Sequence, residues 1–129
     1  MTQQDKQLLL QDLSARLPYR VYISPVDCGK AILIGIKDGN PLLWDTTHKK
    51  EYDKPWDIEY IKPYLRPMSS MTRDESYELD HVEERYDNHY DSIVAQIVWL
   101  NKHHFDYRGL IHMGLALEAP EDMYNLKEK

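Results

Sequence analysis

The pattern of apolar and polar positions predicts a helix at the start of the chain, strands after it and helices in the second half. The first helix is predicted over residues 2–17, with Thr2 as its cap and Pro18 just past its end. Four leucines recur at the helical spacing on one face of it: Leu9, Leu10, Leu13 and Leu17.

After Pro18 the pattern changes to short segments rich in β-branched and aromatic residues, which predict strands. These are Tyr19 to Ser24, Ala31 to Lys37, Leu42 to Thr46 and Trp56 to Ile61. The turn residues Asp38 to Pro41 predict that the second and third strands form a hairpin. Residues 62–67 contain two prolines, which remove amide donors, so we expect an extended connector here and not a central strand.

We expect the rest of the chain to be organised around residues 72–109, which contain no proline. Thr72 and Glu75 have the spacing of a capping box, which marks a helix start. We predict two helices, over 73–86 and 92–104, in preference to one long rod, because three poor helix formers stand in a row at 87–89. One apolar stripe is expected along them, formed by Leu79, Val82, Tyr86, Tyr90, Ile93, Ile97 and Leu100. Only Gln96 is polar between Ile93 and Leu100, which predicts that the second helix forms the core.

A short helix is predicted over 107–113, ending at Gly114, followed by a brief extended piece at 115–117 and a loose tail from Pro120. The expected fold is a single α+β domain: an N-terminal helix, a small antiparallel, barrel-like sheet of three or four strands, and C-terminal helices packed on it. Residues 1–67 form the helix-plus-sheet half, 68–119 the helical half and 120–129 the tail.

Charge and composition restrict the functional classes. The net charge is −6, from 22 acidic and 16 basic residues, which argues against a direct grip on nucleic acid, where neutralising phosphates supplies most of the affinity. The single cysteine, Cys28, excludes an internal disulfide, and the chain holds no apolar run long enough to span a membrane. These features predict a soluble, cytoplasmic protein, and we expect no cofactor.

Acidic residues repeat at helical spacing beside the predicted apolar stripe. We call the set Asp80, Glu84, Asp87 and Asp91 the acidic ridge. The ridge resembles a phosphate backbone in charge, and a solvated helix face has the same pattern. Because Tyr is enriched at protein interfaces, we expect the ridge, with Tyr86 and Tyr90, to bind a partner protein or ribonucleoprotein that has a basic surface.

The sequence is also compatible with two other kinds of functional site. A metal-dependent hydrolase would use imidazoles and carboxylates as ligands, here His81, Glu84, His103, His104 and Asp106. A protein that sequesters a nucleotide signal would use aromatic and guanidinium groups, here Tyr64, Arg66 and Arg108. The chain has no glycine-rich phosphate loop, no C-x-x-C pair and no nucleophile elbow.

Two segments, Ile61 to Thr72 and Trp99 to Pro120, resemble a group of short uncharacterised proteins encoded by phages and other mobile elements of gut-type anaerobic bacteria. The group has no established activity, so the resemblance implies a genetic setting only. Small accessory proteins in that setting often inhibit bacterial defence, including CRISPR effectors. By analogy with that setting we expect a non-enzymatic anti-defence protein, and the acidic ridge is compatible with that function.

Overall fold

The computed structural model describes residues 1–25 and 31–124; the predictions for Cys28 and for the last five residues lie outside that part. Helix α1 spans Gln3–Arg16, α2 spans Arg73–Glu84 and α3 spans His89–Lys102. The strands are β1 Tyr22–Pro25, β2 Ala31–Lys37, β3 Asn40–Asp45, β4 Lys50–Glu51, β5 Ile61–Pro67, β6 Phe105–Asp106 and β7 Leu117–Glu118. None of the described helices is long and apolar enough to cross a lipid bilayer.

The described strands form one open, mixed sheet in the order β4-β3-β2-β1-β5-β6, with β7 also paired to β5. The pairs from β4 to β5 are antiparallel, whereas β6 and β7 run parallel to β5. The predicted α+β class, N-terminal helix and C-terminal helices are confirmed. The observed sheet is larger than the three or four antiparallel strands that we expect from the sequence, because short parallel strands from the second half of the chain extend it. The sheet is open and does not form a barrel.

Local capping signals correctly located the starts of α1 and α2. The Thr2 hydroxyl accepts from the Asp5 amide while Asp5 accepts from the Thr2 amide, and Thr72 and Glu75 do the same at the start of α2. Two separate helices are confirmed after Thr72. The second begins earlier than predicted, since the Asn88 side chain caps it by accepting from the amides of Tyr90 and Asp91.

The hairpin between β2 and β3 is also confirmed. Lys37 pairs with Asn40 across a two-residue turn, and Asp38 and Gly39 at its centre both have positive φ angles, 53° and 79°. Asp and Gly tolerate this conformation, and two positive φ values match the twist of a tight hairpin. The first strand starts later than predicted, because Leu17–Tyr19 forms a 3₁₀ turn and Arg20 is left-handed, with φ of 58°.

Residues 56–67 contradict the prediction most clearly. The expected strand over Trp56 to Ile61 is wrong, since Ile58–Tyr60 is a 3₁₀ turn. The expected connector is instead β5, which lies inside the sheet. Its prolines are tolerated because each stands at the end of a short ladder: Pro63 closes the pairing with β1, and Pro67 closes the pairing with β6.

The main core lies between α1 and the sheet, and not in α3. Leu9 and Leu13 of α1 are fully buried with Val21, Ile23 and Leu65, and Leu33, Leu43 and Ile61 complete the same cluster. A smaller cluster under α2 and α3 holds Val82, Trp99, Leu100 and Phe105. The prediction that α3 forms the core is therefore wrong: the helix buries its C-terminal end and leaves most of its apolar residues exposed.

The continuous apolar stripe expected from Leu79 to Leu100 is also wrong, because the break at residues 85–88 separates two helices that pack side by side. No helix forms over 107–113. Asp106 instead accepts from the Leu110 and Ile111 amides, at 2.9 Å each, and holds a tight turn that ends at Gly114. Tyr124, placed in the predicted loose tail, donates to the Tyr64 carbonyl at 2.9 Å and accepts from the Tyr22 amide at 2.7 Å.

Candidate functional site

The acidic ridge is exposed along its whole length. Asp80 and Glu84 lie one turn apart on α2, Asp87 lies in the connection and Asp91 lies in the first turn of α3. None of the four carboxylates forms an ion pair with a described residue. The four carboxylates thus lie in the second half of α2, in the connection and in the first turn of α3, and their charge is available to another molecule.

The two tyrosines predicted beside the ridge are also exposed. Tyr86 lies in the connection with 44% of its surface accessible, and Tyr90 in the first turn of α3 with 77%. Neither belongs to a core cluster of the described residues. A large aromatic side chain with a free hydroxyl suits contact with another protein, because it buries apolar area and offers a hydrogen bond.

The outward face of α3 is apolar, which the sequence analysis missed. We call Tyr90, Ile93, Val94, Ile97 and Val98 the α3 stripe; their exposed fractions run from 38% to 77%. Residues at this spacing share one helix face. From the sequence, the spacing of these apolar residues predicts that they are buried. The structure shows that the opposite face of α3, which carries Ser92 and Trp99, packs against the protein. Exposed β-branched residues weaken an isolated helix, so local stability does not explain them.

The residues proposed as metal ligands are not brought together. His81 is exposed on α2, with Nδ1 3.0 Å from the Tyr77 carbonyl oxygen, and His103 makes the same local contact to the Trp99 carbonyl at 3.0 Å. Asp106 uses both carboxylate oxygens on backbone amides. Among residues 1–25 and 31–124, no group of three or more His, Cys, Asp or Glu side chains is placed to hold a metal ion.

His104 is buried in a left-handed conformation with φ of 66°, and its ring stacks on Tyr124 at 3.8 Å between centroids. Its Nδ1 has no hydrogen-bond partner among the described residues. Burial lowers the pKa of His104 to about 3, and the nearby positive charges of Arg16, His103 and Arg66 act in the same direction. His104 is therefore neutral at physiological pH and serves as a stacking residue.

Arg66, proposed for the nucleotide alternative, is held by protein groups. Its guanidinium makes a two-point ion pair with Glu75, at 2.8 and 2.7 Å, and lies 4.1 Å from the centroid of the Phe105 ring. Burial raises the pKa of Glu75, but hydrogen bonds from Arg66 and the Thr72 amide, together with the Arg66 charge, keep that pKa below its usual value. The pair fixes the start of α2 against β5.

An open groove of about 570 Å³ passes beside Arg66 and Tyr124. Four carboxylates also line this groove: Glu75, Glu118, Glu121 and Asp122. Tyr64 and Arg108 do not line it. A groove with one arginine, already paired, and four acidic residues repels phosphate, so the geometry does not favour the nucleotide alternative.

Arg108 belongs to a separate buried cluster. It donates from Nε to the Asp12 carboxylate at 3.0 Å, and Arg16 donates to the same carboxylate at 2.8 Å. Arg16 also donates to the Phe105 carbonyl at 2.6 Å, and both guanidinium groups lie 5.1 to 5.4 Å from the centroid of the Tyr107 ring. Asp12 and Arg16 are fully buried. The cluster ties α1 to the last third of the described chain and is structural.

Comparisons with protein-family models, with curated proteins and with solved structures found no match to this chain.

Proposed function

We propose that this protein is a non-enzymatic binding protein of a phage or mobile element, and that it inhibits a host defence complex. The acidic ridge docks on a basic surface that the complex uses to handle nucleic acid. The observation that carries the proposal is the set of exposed, unpaired carboxylates in the second half of α2, in the connection and in the first turn of α3.

The ridge carboxylates differ from several other acidic side chains, which form ion pairs inside the protein. Asp12, Asp45 and Glu75 are each held by a cation or imidazole within the chain. The ridge carboxylates have no such partner among the described residues, and like charges four apart on α2 disfavour the helix by a few tenths of a kcal/mol. A basic partner removes that repulsion, and complementary charge accelerates the encounter.

Tyr86 and Tyr90 support the proposal because they add exposed aromatic surface in the connection and in the first turn of α3. Charged contacts at an interface set its orientation and on-rate, whereas well-packed aromatic residues carry much of the affinity. The resemblance of residues 61–72 and 99–120 to proteins of phages and mobile elements supplies the biological setting.

The double charge reversal Asp80→Lys/Glu84→Lys tests this function. Both positions are exposed on α2, and lysine is a good helix former that is favourable near a helix C-terminus, so the variant keeps the fold. We expect wild-type protein, expressed in bacteria with a DNA-targeting CRISPR system, to restore plating of a targeted phage. The double variant loses this effect, and its affinity for the purified effector falls about ten-fold or more at low salt.

The matched control is Glu51→Lys/Asp53→Lys, which changes net charge equally at exposed positions on and after β4. We expect this control to inhibit as wild type does. Equal activity of the ridge variant and wild type contradicts the role of the ridge, and failure of wild type against a panel of defence systems contradicts the anti-defence function itself.

A further inference from the structure

We infer that the α3 stripe is a self-association surface, on which a second copy of this chain packs in antiparallel orientation about a twofold axis near Gln96. The helix offers five apolar side chains to solvent, and four of them are β-branched: Ile93, Val94, Ile97 and Val98. β-branched residues are favoured in the seam of helix–helix interfaces, where packing compensates for their lower helix propensity.

The stripe is large enough to form the centre of a dimer. Taken with their exposed fractions, its side chains present on the order of 500 Å² of mainly apolar surface. A stable dimer covers roughly 800 Å² on each copy, with an apolar centre and a polar rim. The flanking polar residues of α3 and the connection supply that rim, so one copy of the same surface is sufficient to cover it.

The charges beside the stripe are self-complementary. Asp91 and Lys102 are both exposed. They are eleven positions apart, which is about three helical turns. The two side chains therefore lie on nearly the same line along one flank of α3, about 16 Å apart. When two identical helices pack antiparallel, the same flanks face each other. Asp91 of one copy then meets Lys102 of the other, and the twofold axis repeats the pair.

The acidic ends also favour the antiparallel arrangement. Asp87 and Asp91 lie at the N-terminal end of α3, so a parallel dimer brings these carboxylates together in the two copies. The antiparallel dimer places the acidic ends far apart. It covers Tyr90 and Asp91 but leaves Asp80 and Glu84, on the face of α2 away from Val82, free for the partner in the proposed function. Tyr90 and Asp91 belong to both surfaces, so in the dimer the partner is bound through Asp80 and Glu84. Substitutions at Asp80 and Glu84 therefore test the proposed function, and a substitution at Val94 tests the dimer.

Sedimentation equilibrium of the full chain, from low to high micromolar concentration, tests the inference. We expect a species of twice the 15.4 kDa chain mass. Val94→Glu places unpaired carboxylates in the seam and is expected to raise the dissociation constant about 100-fold or more. Val94 is 60% exposed within one chain, so this variant keeps the circular dichroism and the urea midpoint of the wild-type monomer.

A charge exchange tests the orientation. Asp91→Lys and Lys102→Asp each bring like charges together at both ends of the seam, and each is expected to weaken the dimer about ten-fold. The double exchange restores opposite charges between the copies, so its affinity returns toward wild type. A monomer at every concentration, a dimer insensitive to Val94→Glu, or a double exchange no tighter than the singles overturns the inference. We expect the ridge variant Asp80→Lys/Glu84→Lys to remain a dimer. Failure of the proposed function can therefore be distinguished from failure of the dimer.

Discussion

His104 shows how one side chain contributes to the response of this protein to acid. The folded state holds its imidazole buried and neutral against Tyr124, whereas the unfolded chain exposes it to water. The pKa of His104 in the folded state, about 3, lies below its ordinary value of 6.5. The unfolded state therefore binds more protons between these values, and the stabilising contribution of the neutral ring is present above pH 6.5 and is lost as the pH falls toward 3.

Urea unfolding at several pH values measures this effect. We expect His104→Asn, which tolerates the left-handed backbone, to be less stable at neutral pH but to lose less stability on acidification. The difference in slope between wild type and variant is up to about 1 kcal/mol per pH unit between about pH 6 and pH 4. His112→Asn, at an exposed position, is the control and keeps the wild-type slope. If the free energy of unfolding changes equally with pH in His104→Asn and in the wild type, groups other than His104 cause the acid response.

At the scale of elements, the ion pair between Arg66 and Glu75 positions α2 on the sheet. The pair is mostly buried, makes two parallel hydrogen bonds and shares Glu75 with the capping box of the helix. We expect Glu75→Gln to lower the free energy of unfolding by about 1 to 2 kcal/mol, because it removes a charge-assisted acceptor and weakens the cap.

The exposed pair of Lys6 and Glu59 is the matched control for that measurement, since its nitrogen and oxygen are also 2.7 Å apart. Water solvates both groups, so Glu59→Gln is expected to change stability little. If both substitutions have the same small effect, the Arg66–Glu75 pair does not hold α2 in place.

The elements also show which parts of the fold the sequence could predict. Signals that act within a few residues, such as the Thr72 cap and the Asp38-Gly39 turn, were read correctly. The strand β5 is not predicted by such local signals, because its partners β1 and β6 lie far from it in the sequence. Only the pairing with these strands shows that the prolines of β5 stand at the ends of short ladders. For α3, periodicity located the apolar face but could not tell whether protein or solvent lies against it.

The residues of the acidic ridge can be grouped from the sequence for a similar reason, and their role as a binding site stays a prediction. The acidic ridge depends on spacing within and between two adjacent helices, so local sequence is enough to group its four residues. Asp12 and Arg16 have the i, i+4 spacing of a helical ion pair, but that spacing is also typical of an exposed pair, so the sequence does not show that this one is buried. The partners, Phe105 and Arg108, are supplied by a segment about ninety residues away.

At the scale of the whole molecule, the Asp12–Arg16 pair joins the start of the chain to its last third. Removing one member of a buried pair leaves a charge without compensation, so we expect Asp12→Leu to cost about 3 to 5 kcal/mol. The double variant Asp12→Leu/Arg16→Met removes both charges and is expected to recover part of that loss. A double-mutant cycle in urea measures the coupling, and additive effects would show that the two side chains act independently.

Because β6 and β7 both add to β5 from residues 105–118, and because Arg16 reaches the Phe105 carbonyl, the sheet and α1 are incomplete until those residues are available. On the ribosome, α1 and the β2–β3 hairpin emerge early, but their long-range contacts form only after residues 105–118 have emerged. High contact order of this kind slows folding and exposes nascent apolar surface to chaperones. Arrested nascent chains that end near residue 100 are thus expected to remain sensitive to protease.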